Sequence, residues 1–290
     1  FGSGDRICYH GVLDMFRNPK PAAAVYASQE DRNPVLELSS TMDIGEHPAC
    51  NRGDTYLISN ADSVRMYKNN ILIKEYKQSD SKYQNLKHGP ILINDYVGDA
   101  IAKEEGYSKR QAKIVKDCMN HVAMHGMQIT PKLVWNAFQL ICIYHMNPND
   151  AVGLYNKYVG DWGGESKQYR FDAIKDGKVV RSLIKTPMKK ASLAVSLSAT
   201  TLVEDITYDV IEARVRAVDE YGNQLYYMQE SLSVTISGRT DRFKCSATSR
   251  RSHRALYKIH GGAGRSICHD SVCRLGSGHD QIRSAKHKGG

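Results

Sequence analysis

Residues 11–29 read GVLDMFRNPKPAAAVYASQ, and this stretch decides how the rest of the chain is interpreted. Residues 11–13 form an apolar step that predicts a strand. Two prolines then lead into the alanine-rich run 22–27, which predicts a helix because proline is tolerated in a first helical turn. A βα unit needs parallel neighbouring strands, and no strand pattern precedes this one. We therefore expect residues 1–30 to be the last part of a larger domain.

The positive charge of the chain is confined to its end. The 290 residues carry a net charge of +9. Residues 239–290 contain 12 Lys and Arg against 3 Asp and Glu, whereas residues 1–238 contain 28 of each kind. The main body is electroneutral, which argues against a nucleic-acid partner. No apolar run approaches the roughly 18 residues of a membrane span, so we expect no membrane partner either.

Cysteine and histidine patterns predict neither a metal site nor a cofactor. The cysteines before residue 239 are scattered without a CxxC pair, which is typical of reduced, cytoplasmic thiols. In the tail, Cys268 and Cys273 match no compact zinc template. His121 and His125 lie one helical turn apart, but Val122 stands where an HExxH motif has its glutamate. We expect these two to be surface histidines.

Much of the chain has β-type alternation. Strands are predicted over 34–40, 54–60, 63–68, 71–76, 169–175 and 178–185. Asn69-Asn70 separates the third and fourth strands, and a two-residue turn of this kind tolerates positive φ. These strands predict a β-sandwich made of residues 31–90 plus 165–187.

A helical insertion, residues 91–164, interrupts that sandwich. Ser108, Thr130 and Asn147 are predicted helix caps, and Pro131 and Pro148 follow the last two of them. The inward faces of the first two of these helices are expected to be Ala112, Val115, Met119 and Val122, and then Val134, Ala137, Ile141 and Tyr144. Trp162, after the helices, is either a packing residue or an aromatic that stacks on a sugar.

A second β module is predicted over residues 188–238. An immunoglobulin-like sandwich needs about 100 residues, so this region is at most a partial one. The alternation stops after Gly238. The basic tail 239–290 is predicted to be either disordered or the product of an out-of-frame translation, which the other two reading frames of the source DNA would test.

Four of these stretches carry a family resemblance. The opening GVLDMFRNPKPAAAVYASQ resembles the last strand and helix of the catalytic barrel in glycoside hydrolase family two, the β-galactosidase and β-glucuronidase family. TYLISNADSVRMYKNN, residues 55–70, is similar to the "SNAD-V-LY-N" signature of the sandwich that follows that barrel. Residues 192–225 resemble the C-terminal immunoglobulin-like module. The helical insertion is similar to one in a bacterial subset of the family.

The resemblance implies a fold and a parent enzyme. The fold class is mainly β with an α-helical insertion: immunoglobulin-like β-sandwich modules follow the last βα unit of a truncated TIM barrel. Retaining glycosidases use two carboxyl groups about 5–5.5 Å apart, which the family places on earlier barrel strands. A barrel needs about 250 residues. The resemblance therefore assigns no catalytic residue to this chain and predicts that the chain is inactive alone.

Some residues are still candidates for contact with substrate. Barrel sites lie at the C-terminal ends of the strands, which places Tyr9 and His10 next to the sugar, with Trp162 as a third candidate. The β-glucuronidase branch has an Asn-x-Lys pair near this point. Its absence here implies a neutral sugar, galactose. Asp14, Arg17 and Lys20 match the D-x-x-R-x-P-K pattern and are expected to form a structural ion-pair network.

Two functions follow from different readings of the chain. The first is the accessory C-terminal region of a retaining, β-galactosidase-like glycoside hydrolase of carbohydrate metabolism. Its partner is a carbohydrate, bound through the barrel, and a homo-oligomer is compatible with it. The alternative is a non-catalytic carbohydrate-binding or interaction protein made of β-sandwich modules.

Overall fold

The computed structural model describes a defined part of the chain. It describes residues 11–13, 19–40, 42, 52–126, 128–160, 168–202 and 210–225. It also describes the backbone of the strands at 232–235, 242–246, 255–260, 266–267 and 272–275. The chain divides into two units, one formed by Cys8–Pro187 and the other by Phe1–Ile7 with Met188–Gly290. Among the described residues, no helix has the length and apolar character needed to cross a membrane.

Two antiparallel sheets form the framework of the unit Cys8–Pro187. Its strands are β1 (Leu36–Leu38), β2 (Tyr56–Ser59), β3 (Ser63–Lys68), β4 (Ile71–Lys77), β5 (Ile91–Leu92), β6 (Tyr169–Lys175) and β7 (Lys178–Lys185). One sheet has the order β1-β2-β5 and the other β4-β3-β6-β7. The chain changes sheet between β2 and β3, between β4 and β5, and again between β5 and β6.

The predicted hairpins are confirmed. Asn69 and Asn70 have φ values of 47° and 65°, and they join β3 to β4. Positive φ at both central residues matches the right-handed twist of the flanking strands. Asp176 and Gly177, with φ values of 51° and 73°, turn the chain between β6 and β7 in the same way.

The helix α1 (Pro21–Ala27) precedes β1, and a 3-10 turn at Gln78–Asp80 follows β4. Between β5 and β6 lie α2 (Ala100–Glu104), α3 (Lys109–His125), α4 (Pro131–Phe138), a π-helical turn at Gln139–Ile143, and α5 (Pro148–Tyr158). The predicted caps are present. Ser108 Oγ accepts from Gln111 N, and Thr130 Oγ1 accepts from Leu133 N, both at 3.2 Å.

One hydrophobic core joins the two sheets and the helices. Its fully buried members include Leu36 and Leu57 from the first sheet, Met66 and Phe171 from the second, and Val115 from α3. Because side chains of all three layers belong to one cluster, the helical insertion is part of the core and not an appendage. The mainly β class with a helical segment is confirmed.

The inward face predicted for α4 and the turn after it is wrong for Val134 and Ile141, whereas Tyr144 packs against the core. Val134 is 54% exposed and Ile141 is 47% exposed, whereas Asn136 and Gln139 are buried together with Leu140. The physical reason lies in the packing of α4 on α3, which buries the Asn136 side of α4. Val134, Trp135 and Phe138 of α4 therefore face outward, while Leu133 of the same helix packs against the core.

The strand predicted at residues 11–13 also needs correction. These residues form a bend that ends in a single antiparallel bridge between Leu13 and Pro19, and Lys20 N donates to the Val12 carbonyl at 2.9 Å. No strand among the described residues lies beside them as a parallel neighbour. The helix that follows, α1, lies where it was predicted.

The second unit is built from short antiparallel strands. They are β8 (Ser192–Leu197), β9 (Thr201–Leu202), β10 (Val210–Val218), β11 (Leu232–Thr235), β12 (Arg242–Ser246), β13 (Ala255–His260), β14 (Ser266–Ile267) and β15 (Val272–Leu275). The main sheet has the order β12-β13-β10-β8. Strands therefore continue beyond Gly238, which corrects the expectation that they stop there. The reading-frame hypothesis for the tail stays a prediction.

Candidate functional site

The helix α1 lies against β1 and β2 of the first sheet. None of its residues is fully buried, so apolar packing alone holds it weakly. Gln29, just after the helix, donates from Nε2 to the His88 carbonyl at 2.9 Å and accepts from His88 N at 3.3 Å. These bonds fix the end of α1 to the loop before β5.

The SNAD motif explains how the segment after α1 is attached. Asn60 is buried, and its Nδ2 donates to the carbonyls of Glu30 and Asn33 at 2.6 and 2.8 Å while its Oδ1 accepts from Val35 N at 2.8 Å. Ser59 Oγ donates to the Val35 carbonyl at 2.8 Å. The motif thus satisfies the backbone of the linker between α1 and β1 with side-chain bonds.

The aspartate of the motif acts on a different part of the sandwich. Asp62 Oδ2 accepts from Asp176 N at 2.8 Å, and Asp62 N donates to the Ile174 carbonyl at 2.9 Å. Asp62 therefore fixes the β6–β7 turn. The resemblance identified the motif, and the structure gives each of its polar residues a bonding role.

A groove lies between α1 and the first sheet, which we call the α1 groove. It has a volume of about 340 Å³ and is lined by Pro21, Ala22, Val25, Ser39, Tyr56, Ile58, Tyr83, Leu86 and Pro90. The rings of Tyr56 and Tyr83 lie 6.4 Å apart. Lys82 Nζ lies 2.9 Å from the Tyr56 hydroxyl, and hydrogen bonds to these two tyrosines raise the pKa of Lys82.

The chemistry of the α1 groove is that of binding and not of glycoside hydrolysis. No carboxylate is among its lining residues, whereas a retaining glycosidase needs an acid/base and a nucleophile. The groove is of a size that small ligands occupy, and its walls are apolar with polar atoms only at the tyrosines and Ser39. It can hold an apolar group.

Carboxylates that lie close together occur on the helical insertion. The Tyr158 hydroxyl donates to Glu105 Oε1 at 2.6 Å and also lies 3.0 Å from Glu104 Oε2. Lys157 Nζ contacts the same two oxygens at 2.6 and 3.3 Å. Hydrogen bonds from Lys157 and Tyr158 lower the pKa of Glu105. A general acid needs the opposite shift, so this cluster is a structural link between α2 and α5.

Two buried cations anchor the end of α5. Arg52 Nη2 donates to the Val159 carbonyl at 3.0 Å, and Lys68 Nζ donates to the carbonyls of Tyr158 and Tyr96. The last carbonyls of a helix lack intrahelical donors and carry the negative end of the helix dipole. Arg52 and Lys68 therefore hold α5 on the sandwich.

Most of the predicted site residues lie outside the described residues. This holds for Tyr9, His10, Asp14, Arg17 and Trp162. Lys20 is described, and its Nζ donates to the Gly11 carbonyl at 3.3 Å. The structure therefore places one of the three charged members of the D-x-x-R-x-P-K pattern, directly before α1.

The two histidines of α3 lie side by side, with His125 exposed and His121 half-buried. The rings of His121 and His125 lie 5.1 Å apart, and His121 Nε2 lies 2.8 Å from the Gln128 carbonyl. Within the described ranges, no group of three or more histidine, cysteine or acidic residues is arranged to hold a metal ion.

Sequence reasoning missed two kinds of residue. Arg52 and Lys68 are buried, yet nothing in their local sequence separates them from surface cations. Trp135 and Phe138 are 60% and 50% exposed, and a helical apolar period normally marks a buried face. The one available signal was the pair of amides at Asn136 and Gln139, on the other side of the same helix.

Comparison with known proteins identifies relatives over part of the chain. No protein-family model matches. The chain is 39% identical over 97 residues to the β-galactosidase of Thermoanaerobacterium thermosulfurigenes, and 38% identical over 93 residues to that of Thermoanaerobacter pseudethanolicus. The matched segments are 32% and 31% of this chain and span only 14% and 12% of those two relatives.

A solved structure has a similar fold. It is a glycosyl hydrolase family 2 member from Bacteroides cellulosilyticus, with a TM-score of 0.50 and 10% sequence identity, covering 93% of this chain and 31% of that one. The protein is thus a mainly β chain related to the glycoside hydrolases. More particularly, the relationship is to glycoside hydrolase family two, and its curated relatives are β-galactosidases.

Proposed function

We propose that this chain is the accessory C-terminal region of a retaining, β-galactosidase-like glycoside hydrolase of carbohydrate metabolism. In this proposal the seven strands of Cys8–Pro187 are an immunoglobulin-like β-sandwich and α1 is the last helix of a catalytic barrel. The observation that carries it is the attachment of α1: Asn60 of the SNAD motif bonds the backbone of Glu30, Asn33 and Val35.

Through that attachment the sandwich supports the catalytic barrel of the parent enzyme. A helix with no fully buried residue gains little from its own packing, so its position depends on the bonds made by Asn60 and Gln29. A sandwich that fixes the final helix fixes one wall of the barrel. We infer that the region supports the barrel and takes no part in bond cleavage.

The chemistry of the described carboxylates supports the same conclusion. A retaining pair requires one carboxyl group with a raised pKa. A hydrogen bond from Lys157 lowers the pKa of Glu105, and one from Ser63 lowers the pKa of Glu75. Burial alone would raise the pKa of Asp95, but hydrogen bonds from Lys116, Gly98 and Val97 hold it below its ordinary value. Each of these groups is ionised at neutral pH.

The finer assignments are part of the proposal. The parent enzyme acts on a galactoside, as the names of the curated relatives suggest. Tyr9, His10 and Trp162 lie near the sugar, Asp14, Arg17 and Lys20 support the entry of α1, and the enzyme works in the cytoplasm without a cofactor.

A hydrolysis assay on the purified chain tests the proposal. With 4-nitrophenyl β-D-galactoside as substrate, and an active β-galactosidase as positive control, we expect no release of nitrophenol above buffer. Turnover would show that the chain holds a catalytic pair and would contradict the proposal. Calorimetric titration with galactose and lactose separates the alternative, because tight binding without turnover would favour a carbohydrate-binding module.

A further inference from the structure

Exposed apolar side chains are concentrated in one short segment. Of the sixteen large hydrophobic residues that are exposed in the described part of the chain, six lie within residues 129–143. Val134, Trp135, Phe138 and Ile141 recur at helical spacings of three and four, so they share one side of α4 and the turn that follows it. We call these four residues the α4 face.

On an ordinary surface helix the apolar residues face the core and the polar residues face solvent. The α4 face has the opposite arrangement. Its four apolar residues are between 47% and 60% exposed, whereas Asn136 of α4 and Gln139 of the turn that follows are 8% and 6% exposed. The rings of Trp135 and Phe138 stack with their centroids 5.7 Å apart and their planes at 20°. Folding of this chain gains nothing from such an arrangement, which instead marks an interaction surface.

The charge around this surface restricts its partner. From residue 126 to residue 149 the sequence has one formal charge, Lys132. Lys132 lies 3.8 Å from Asp117 of the neighbouring α3, so this charge is already paired within the chain, and the apolar residues meet a second copy of themselves without a row of like charges between them. A sugar site needs polar groups that fix hydroxyls, and the two amides of this helix are buried on its other side.

The size of the surface fits a weak symmetric dimer. With the flanking Ile129 and Ile143, six large apolar side chains are between 47% and 78% exposed. At roughly 150–250 Å² for a whole side chain, they expose on the order of 600 Å² per copy. This is the upper end of what a monomer exposes. Two copies would bury on the order of 1,200 Å², above the roughly 1,000 Å² of a specific interface.

We propose that the α4 face is an isologous self-association surface, on which Trp135 and Phe138 of one copy pack against the same residues of a second copy. Aromatic residues at the centre of an interface carry most of its binding energy. This proposal does not depend on the glycosidase assignment.

Sedimentation equilibrium of the full chain under reducing conditions tests it. We expect the wild type to approach twice its mass of 32.5 kDa as concentration rises through the micromolar range. W135S/F138S should weaken association at least tenfold. The matched control is I71S/L72S, whose residues are 58% and 49% exposed on β4, and it should associate as the wild type does.

A second measurement covers the case in which W135S/F138S does not fold. Cys142 is exposed four residues after Phe138, and its alkylation by a maleimide can be followed by peptide mass spectrometry. We expect the rate for wild-type Cys142 to fall several-fold between dilute and concentrated protein. A rate that does not depend on concentration contradicts the proposal.

Other outcomes overturn the proposal. A wild type that remains monomeric throughout would do so, as would a dimer that persists unchanged in W135S/F138S. Binding of galacto-oligosaccharide by a monomer, abolished by W135S alone, would assign the face to a sugar instead.

Discussion

The helices α3 and α4 follow each other in the chain, both begin at a side-chain cap, and both repeat apolar residues every three or four positions. They differ in where those residues point. On α3, Val115 and Met119 lie in the core, whereas on α4 Val134 and Phe138 are at least half exposed. The same sequence period thus builds the core in one helix and a surface in the next.

The difference shows what an apolar period establishes. It predicts that a segment is helical, because both helices form where expected. It does not predict which side turns inward, because that depends on the neighbour available. α3 packs under the loop after β5, where Asn120 accepts from Tyr96 N at 2.9 Å. α4 packs on α3, whose apolar face is already occupied.

Truncation of one residue on each helix should give the largest contrast. Met119→Ala removes buried volume from α3 and should lower the free energy of unfolding by about 2–5 kcal/mol. Val134→Ala on α4 should change it by less than about 0.5 kcal/mol. Urea unfolding followed by circular dichroism measures both, and equal losses would refute the contrast between the helices.

Asp95 holds α3 on the loop after β5, and we expect its contribution to the stability of the chain to be lost in acid. Asp95 bonds Lys116 and Asn120 of α3. Its pKa is lowered from the ordinary value of 3.8, so its contribution to stability is present above that value and is lost as pH falls through the lowered pKa. Asp95→Asn should cost about 1–3 kcal/mol at pH 7.

Melting temperatures from pH 7 to pH 2 test this linkage. The gap between wild type and Asp95→Asn should stay constant from pH 7 to about pH 5 and then narrow below pH 4. A gap that is the same at every pH would show that the Asp95 carboxylate does not act through its charge.

The two helix caps should have similar energies. Ser108→Ala and Thr130→Ala each remove a side-chain acceptor for an N-terminal N–H group, and each should cost about 1 kcal/mol. Chemical denaturation measures the free energy of unfolding of both variants. Equal losses would show that the two helices begin in the same way and differ only in the direction that their apolar residues face. A cost above about 2 kcal/mol for Thr130→Ala alone would contradict this.

The charge on α4 should have the smallest effect. Lys132 Nζ lies 3.8 Å from Asp117 Oδ2, and its side chain is 78% exposed. Lys132→Ala should change the free energy of unfolding by about 0–0.5 kcal/mol. A larger loss, measured in the same urea titration, would mean that the pair fastens α4 to α3.

How much of this could be predicted from the sequence differs from residue to residue. Asn69-Asn70 set a turn by local backbone preference, and Ser108 sets a helix start in the same local way, so both were predictable. Asn60 was found through a motif, but its bonds to residues about 30 positions earlier needed the folded chain. The burial of Arg52 and Lys68 depends on α5, about 90–107 residues further along, and no local pattern contains it.

The central claim is that this chain is the accessory region of a larger glycosidase, and the most direct test is the coding sequence upstream of Phe1 in the source DNA. We predict an open frame that encodes the rest of a βα barrel, with two glutamates at strand ends. A start codon directly before the codon for Phe1 would contradict the claim and would favour a separate binding protein.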